Sequence, residues 1–280
     1  MNSKFAAVIL SIAATVLSGC GPRVIRVGTV EELISAIGPD RYIAILPGRY
    51  DLSSVAQRQM KYVLWSKVHD GYELIIRNVR GLKLIGLDEP VKILAKPRYA
   101  NVLSFTNCRN IHLQNLVLGH TPEGYCTGGV VRMTKCSGVR IYSCNLFGCG
   151  IEGLELREVK GLEFYNSVIR DCTYGIMTVV SSSNIIFNDS IFMQNREFGG
   201  FTFTDSRNVR LERCVIEGNR FDSLDAILFS ATSCSDIELR GCTITGNVFK
   251  TFMKPANSIK VTGTRIEGNS EPPPTDPDAR

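Results

Sequence analysis

The chain has 280 residues, of which 44% are hydrophobic and 21% charged, and carries a formal charge of +5. That length suits one or two domains, and the apolar share is enough for a dry core. The charge excess is mild and comes without runs of lysine or arginine, which argues against a nucleic-acid-binding surface.

The first segment reads as a leader. Lys4 precedes an apolar stretch from Phe5 to Val16, too short to span a bilayer and of signal-peptide form. It ends in Leu17-Ser18-Gly19-Cys20, which resembles a bacterial lipobox. The resemblance implies a leader over 1–19 and an acylated Cys20, with 20–26 as anchor and linker. Two or more acyl chains anchor stably where one does not. Gly21 follows the cysteine rather than Asp, which by the same resemblance implies the outer membrane in a host with two, and otherwise the outer face of the cell membrane. The alternative is an ordinary signal peptide that happens to contain a cysteine.

Val24 to Val27 is a predicted short strand, and Thr29 with Glu32 fits a capping box opening a short amphipathic helix through Leu33, Ile34, Ala36 and Ile37. Gly38-Pro39 ends it, Tyr42 to Leu46 alternates as a strand, and Pro47-Gly48 turns that strand. This helix is expected to cap the open end of the strands downstream. Ser53 to Gly71, with the single tryptophan Trp65, interrupts the pattern as an expected excursion.

From Ile111 on, one motif recurs. Val139, Ile141, Cys144 and Leu146 are apolar or small positions in two short alternating strands, broken by one extra residue at Tyr142-Ser143. Copies start at Ile111, Val139, Leu162, Ile185, Val209, Ile237 and Ile259, spaced 22–28 residues apart. A third strand precedes each copy, as at Val130 to Met133 and Ile151 to Leu156. A regular period of this size means stacked units, and a period-2 pattern rich in Val, Ile, Phe and Thr makes each unit β. The prediction is all-β: a parallel β-helix over 27–269 with three strands per coil, eight or nine coils and a short N-terminal capping helix. With strands about 4.8 Å apart, the rod is roughly 40 Å long. The repeat, together with Glu32-Leu33-Ile34-Ser35-Ala36-Ile37 and Leu46-Pro47-Gly48-Arg49-Tyr50, resembles the single-stranded right-handed β-helices of the pectate-lyase-like superfamily, in particular its bacterial lipoproteins. The tail, 270–280, is proline-rich, acidic and expected to be disordered.

Ten cysteines raise the question of bridges. Cys144, Cys214 and Cys242 share one repeat position with Ser167, Ser190 and Thr264, and Cys108, Cys136 and Cys234 share another. Alternation with Ser and Thr favours small inward packers that stay reduced; an exported compartment keeps disulfides open as the other reading. The position ten residues after each copy start reads Asn195, Asn219, Asn247 and Asn269, which predicts amides bonded from rung to rung.

No metal site and no cofactor are expected, since no close Cys/His pairs occur. No catalytic constellation emerges either. Arg132, Glu155, Thr178 and Thr202 align outward on neighbouring first strands. Glu152 and Glu155 are three apart, so a regular strand sends them to opposite faces. The candidate ligand face is Arg132 and Glu155, rimmed by His120 and Tyr125 in a long turn, with Gly153 and Gly200 leaving room for a sugar ring. The bland alternative for Arg132 and Glu155 is a surface ion pair. These features suggest a lipid-anchored envelope β-helix that binds a glycan or another envelope component, or acts as a scaffold. The rival is a polysaccharide lyase or glycoside hydrolase working on the same strand face. The expected partners are therefore a bilayer, through Cys20, and a polysaccharide or envelope protein.

Overall fold

The structure, a computed structural model, describes residues 24–121, 127–148, 150–223 and 225–273. The leader with Cys20, the turn residues Tyr125 and Cys126, Cys149 and the tail beyond 273 lie outside the described residues.

The chain winds as a parallel β-helix with three walls. Sheet A holds ten strands, from Val24–Val27 through Ser137–Tyr142 to Lys260–Thr262. Sheet B holds nine, from Arg49–Asp51 to Arg265–Glu267, and sheet C nine, from Val63–Val68 to Thr251–Lys254. The strand that precedes each copy of the motif belongs to sheet C, and the copy itself supplies sheets A and B. Val139, Leu162, Ile185, Val209 and Ile237 stand in register on sheet A, and all are buried.

The extra residue in each copy is a corner. Asn115, Ser143, Asn166, Asp189, Arg213, Gly241 and Gly263 join sheets A and B with φ between 48° and 60°. One left-handed residue redirects the strand and restarts the alternation on the next wall. A second corner of the same kind, between sheets C and A, includes Lys135 and Glu158 (φ 55° and 54°). Long side chains cost about 1–2 kcal/mol there, so the neighbouring rungs must hold them in place. The passages from B to C are the longest, and their varying length sets the spread of the repeat period.

The interior is apolar, and aromatic in the middle. Phe164, Phe187, Phe192, Phe201 and Phe229 pack ring to ring with centroids 4.7–6.0 Å apart. Each such burial contributes about 1.5–3 kcal/mol. Many of the polar groups in the core form rung-to-rung chains. The Asn219 Oδ1 accepts from the backbone N–H of Asn195 at 3.0 Å and from its Nδ2 at 2.8 Å. Asn247 Oδ1 does the same for Asn219, at 3.1 and 2.8 Å, and Asn269 Oδ1 for Asn247. Cys144 and Ser167 use their backbone N–H groups to reach the hydroxyls of Ser167 and Ser190. Cys214 and Cys242 sit lower in the same row, and Cys242 N–H donates to Thr264 Oγ1 at 3.2 Å. The seven described cysteines are free thiols; six are buried and Cys234 is half-buried. Burial pushes the Cys144 thiol up to about 12.

At the N-terminal end the helix Val30–Ala36 carries both arms of the Thr29–Glu32 capping box and buries Val30, Leu33, Ile34 and Ala36. The expected excursion between Ser53 and Gly71 is different from the sequence reading. Val63–Val68 folds back on Gly71–Arg77 as the one antiparallel pairing among the described strands, and Trp65 is buried beneath it. The alternation of Val63 and Trp65 with Leu64 and Ser66 turns one face of the hairpin to the core, so it extends the wall instead of leaving it. The far end is barer: every residue of Lys260–Thr262 and Arg265–Glu267 is exposed.

Candidate functional site

Sheet C displays an outward row in register: Ser104, Arg132, Glu155, Thr178, Thr202 and Ser230. Polar residues occupy it because their neighbours in each strand, such as Val131 and Met133 or Leu154 and Leu156, fill the core. The row is not solvated evenly. Glu155 is only 6% exposed, and its two oxygens accept from Arg132 Nε and from Arg157 Nε. Arg132 also reaches Glu73 Oε1 at 3.9 Å. Glu73, itself buried, accepts from Ser104 Oγ at 2.5 Å and from the backbone and side chain of Asn101 at 3.1 and 3.2 Å.

The carboxylates of this network are buried, unlike those of the surface pair considered from the sequence, while the Arg132 and Arg157 side chains stay 39% and 51% exposed. Removing an arginine takes a partner from a desolvated carboxylate, which is costly. Burial pushes the Glu155 carboxyl up, but the Arg132 and Arg157 guanidiniums outweigh it and hold the group below the usual carboxylate range.

Glu152 belongs to the same neighbourhood, contrary to the alternation argument. The strand begins at Leu154, and a Cβ on Gly153 would lie 2.3 Å from Ile169 Cγ2 and 3.5 Å from Cys172 Sγ. Gly153 therefore faces the core, as Leu154 does. Two successive inward positions break the period, and Glu152 comes out on the side of Glu155. Burial raises the Glu152 carboxyl to about 7, against a hydrogen bond to Thr178; the charge of Glu155 adds to the rise. Gly153 thus makes room for Ile169 and not for a sugar. At Gly200 a Cβ would meet the Leu228 carbonyl oxygen at 2.2 Å, so that glycine serves the contact with the next rung.

Beside Glu152 lies a groove of about 200 Å³ lined by Thr178, Gly175, Gly199, Tyr174 and Phe198. Tyr174 and Phe198 are 40% and 55% exposed, yet their rings stack with centroids 4.8 Å apart and planes within 3°. Ile151, also exposed, continues the row on the rung before. The sequence reading missed this pair. Each residue stands three positions before a paired strand residue, Met177 or Phe201, and that shared register is the signal that could have exposed it.

The other candidates fall elsewhere. His120 ends the sheet B strand Leu116–His120; it is 2% exposed, its Nε2 lies 2.9 Å from the Ala100 carbonyl oxygen, and burial lowers its pKa. A ring so enclosed has no surface for a ligand, which corrects its place on the rim. Tyr125 lies outside the described residues. Among the described residues no three metal-ligating side chains gather, and no helix is long and apolar enough to cross a membrane.

A family profile described as "Right handed beta helix region" matches residues 101–270. No curated protein matches the chain significantly. Among solved structures, the ORF18 protein of Geobacillus virus E2 is similar at 11% identity and a TM-score of 0.51, over 86% of this chain and 56% of the viral one. The pectate lyase of Paenibacillus sp. 0602 is similar at 9% identity and 0.50, over 88% and 78%. An alginate lyase from Paenibacillus sp. str. FPU-7 aligns at 10% identity over 89% of this chain and 98% of its own, with a TM-score of 0.49. The chain spans just over half of the viral protein. At these identities the similarity is one of fold.

Proposed function

The chain belongs to the family of right-handed β-helix regions, and from that premise we propose that it is a lipid-anchored cell-envelope protein that binds a glycan along sheet C. The reading is carried by one observation: Tyr174 and Phe198 stack in the open, parallel to each other, above a glycine-lined groove that ends at Glu152. A parallel ring stack held rigidly on a wall offers an apolar ridge of ring edges with an outer ring face at its end, and a few convergent polar groups beside it fix orientation. Thr178, Glu152 and the Arg132–Glu155 pair supply those groups. Arg132 is held by two carboxylates, so its role is to shape the polar margin.

A glycan array probed with the full-length chain tests this. Tyr174→Ala with Phe198→Ala should abolish binding to whichever glycan is captured and leave the melting temperature within about 2 °C, because both rings are exposed. Unchanged binding would place the ligand elsewhere.

The anchor rests on the lipobox at Leu17-Ser18-Gly19-Cys20. Export, acylation of Cys20 and partition into membranes follow from it. Intact mass of protein extracted from the envelope should show the acyl additions at Cys20; an unmodified N-terminus, or a Cys20→Ser chain that still partitions with membranes, would refute it.

One observation favours a second reading, polysaccharide cleavage. Glu152, raised to about 7, sits near an ionised Glu155, and carboxyl groups held at different protonation states are what general acid–base chemistry needs. Reducing-end and unsaturated-product assays on the captured glycan separate the readings. Turnover that disappears in Glu152→Gln while binding persists would support cleavage, and no turnover in the native chain would leave binding alone.

A further inference from the structure

Sheet A presents an outward face that the glycan reading of sheet C does not use. Its central row reads Lys83, His112, Arg140 and Glu163, one residue per rung, in register. Two adjoining hollows flank this row, of about 410 and 220 Å³, and both are lined by His112, Arg140 and Glu163. The larger hollow exists because the wall is cut back at Gly81, Gly138 and Gly161. Those positions have φ of 68°, 63° and 79°, and a Cβ on Gly138 would lie 2.6 Å from Asn110 Oδ1. The smaller hollow is walled by Tyr142 and Tyr165, exposed, with centroids 5.4 Å apart and planes within 6°.

The charge along this trough is uneven. Arg140 Nε donates to Glu163 at 3.1 Å. Lys83 forms no ion pair among the described residues, nor do Arg109 and Lys160, which stand on the sheet's margin with Ser137 on the rung between them. Lys83 and Arg140 flank His112 and, after burial, are what keep its pKa low. A row of like charges with an unmatched cation is a gap that an anion would fill. The unpaired cations Lys83, Arg109 and Lys160 cover the rungs from Lys83 to Glu163, roughly 14 Å at the spacing of parallel strands. Further along, Arg210, Glu238, Glu212 and Arg240 pair among themselves. A span that short accommodates one or two acidic units beside a stacking platform and not the long phosphate track of a nucleic acid.

We propose that this trough on sheet A is a second binding site, independent of sheet C, and that it takes an acidic glycan strand. Uronate carboxylates bridge Lys83 and Arg140 across His112, and a neighbouring sugar ring lies against Tyr142 and Tyr165. The carboxylate competes with Glu163 for the Arg140 guanidinium, whose fork geometry suits it.

The test uses the full-length chain, tetragalacturonate as probe, and histidine NMR. The chain has three histidines, so the signals are few. Binding should shift the His112 resonances and raise its titration midpoint, because the added carboxylate offsets Lys83 and Arg140, while buried His120 stays put. Lys83→Gln with Arg140→Gln should weaken binding about tenfold or more, with an unchanged far-UV spectrum to show that the wall is intact. Tyr174→Ala on sheet C should leave the His112 response as it is. The proposal fails if tetragalacturonate binds without moving His112, if the double variant binds as tightly as the native chain, or if a neutral galactose oligomer or an oligonucleotide of the same charge gives the same His112 response.

Discussion

Replacing Asn219 with alanine should be among the most damaging single changes in the rod. Asn219 is fully buried, and its side chain makes bonds in both directions. Its Oδ1 takes two donors from Asn195, and its Nδ2 gives to the Phe192 carbonyl at 2.9 Å and to Asn247 Oδ1 at 2.8 Å. Alanine leaves the Asn195 N–H without an acceptor and deprives the Asn195 amide of one partner. It also leaves the Phe192 carbonyl short of a donor. At about 1–3 kcal/mol for each buried group left unpaired, and two groups that cannot find a substitute, the loss is about 2–6 kcal/mol. Asn269 makes the same kinds of bond in a half-exposed position on the last rung, where water replaces what is lost. There the same substitution should cost about 1 kcal/mol or less. Urea unfolding followed by far-UV circular dichroism gives both numbers, and the melting temperature of the Asn219 variant should fall by roughly 4–24 °C. If Asn219→Ala costs no more than Asn269→Ala, the amide chain is not what holds these rungs together.

Other expectations concern pH, thiols and the open end. Glu152 titrates near 7 when folded, above its ordinary value of 4.5, so stability is full below the lower figure and is lost as pH rises through the higher one. The loss is of order 3 kcal/mol, and Glu152→Gln should flatten stability across that window; an unchanged pH profile would mean that Glu152 is not buried in solution. Cys108, Cys136, Cys144, Cys172, Cys214 and Cys242 should resist a thiol reagent until denaturant is added, with half-buried Cys234 reacting first. Fewer than seven of these thiols titrating in denaturant without reductant would point to bridges among them. Hydrogen exchange should be fastest from Lys260 onward, where Val261 and Ile266 are exposed, and protection equal to that of Val209 or Ile237 would contradict the open end.

The walls were legible because inward positions recur at fixed offsets: Val139, Leu162 and Ile185 announce sheet A by type and spacing alone. The N-terminal cap was legible for the same local reason, since Thr29 and Glu32 act within one turn. What escaped were places where the period slips. Gly153 and Leu154 both point inward, and that single break moved Glu152 to the face from which alternation had removed it. The hairpin at Val63–Val68 escaped because its partner strand runs antiparallel, and a repeat read in one direction does not show it. Tyr174 and Phe198 precede their strands, outside the motif. His120 looked like a turn residue because Thr121-Pro122 follows it, while the strand before it in fact carries the ring inside.

That antiparallel hairpin has a consequence for how copies of the rod can meet. A parallel β-helix is directional, and stacking one copy on the next head to tail would continue every sheet in the same sense. At the N-terminal side, sheet C ends in Val63–Val68, which runs the wrong way for such a continuation, and the helix Val30–Ala36 stands over the same end. Among the described residues the last rung, by contrast, ends in exposed strands. A blocked end and a bare end cannot alternate along a filament. Contact between bare ends pairs identical surfaces, and an isologous contact closes at two copies. One reversed strand thereby ends sheet C against parallel continuation on that side.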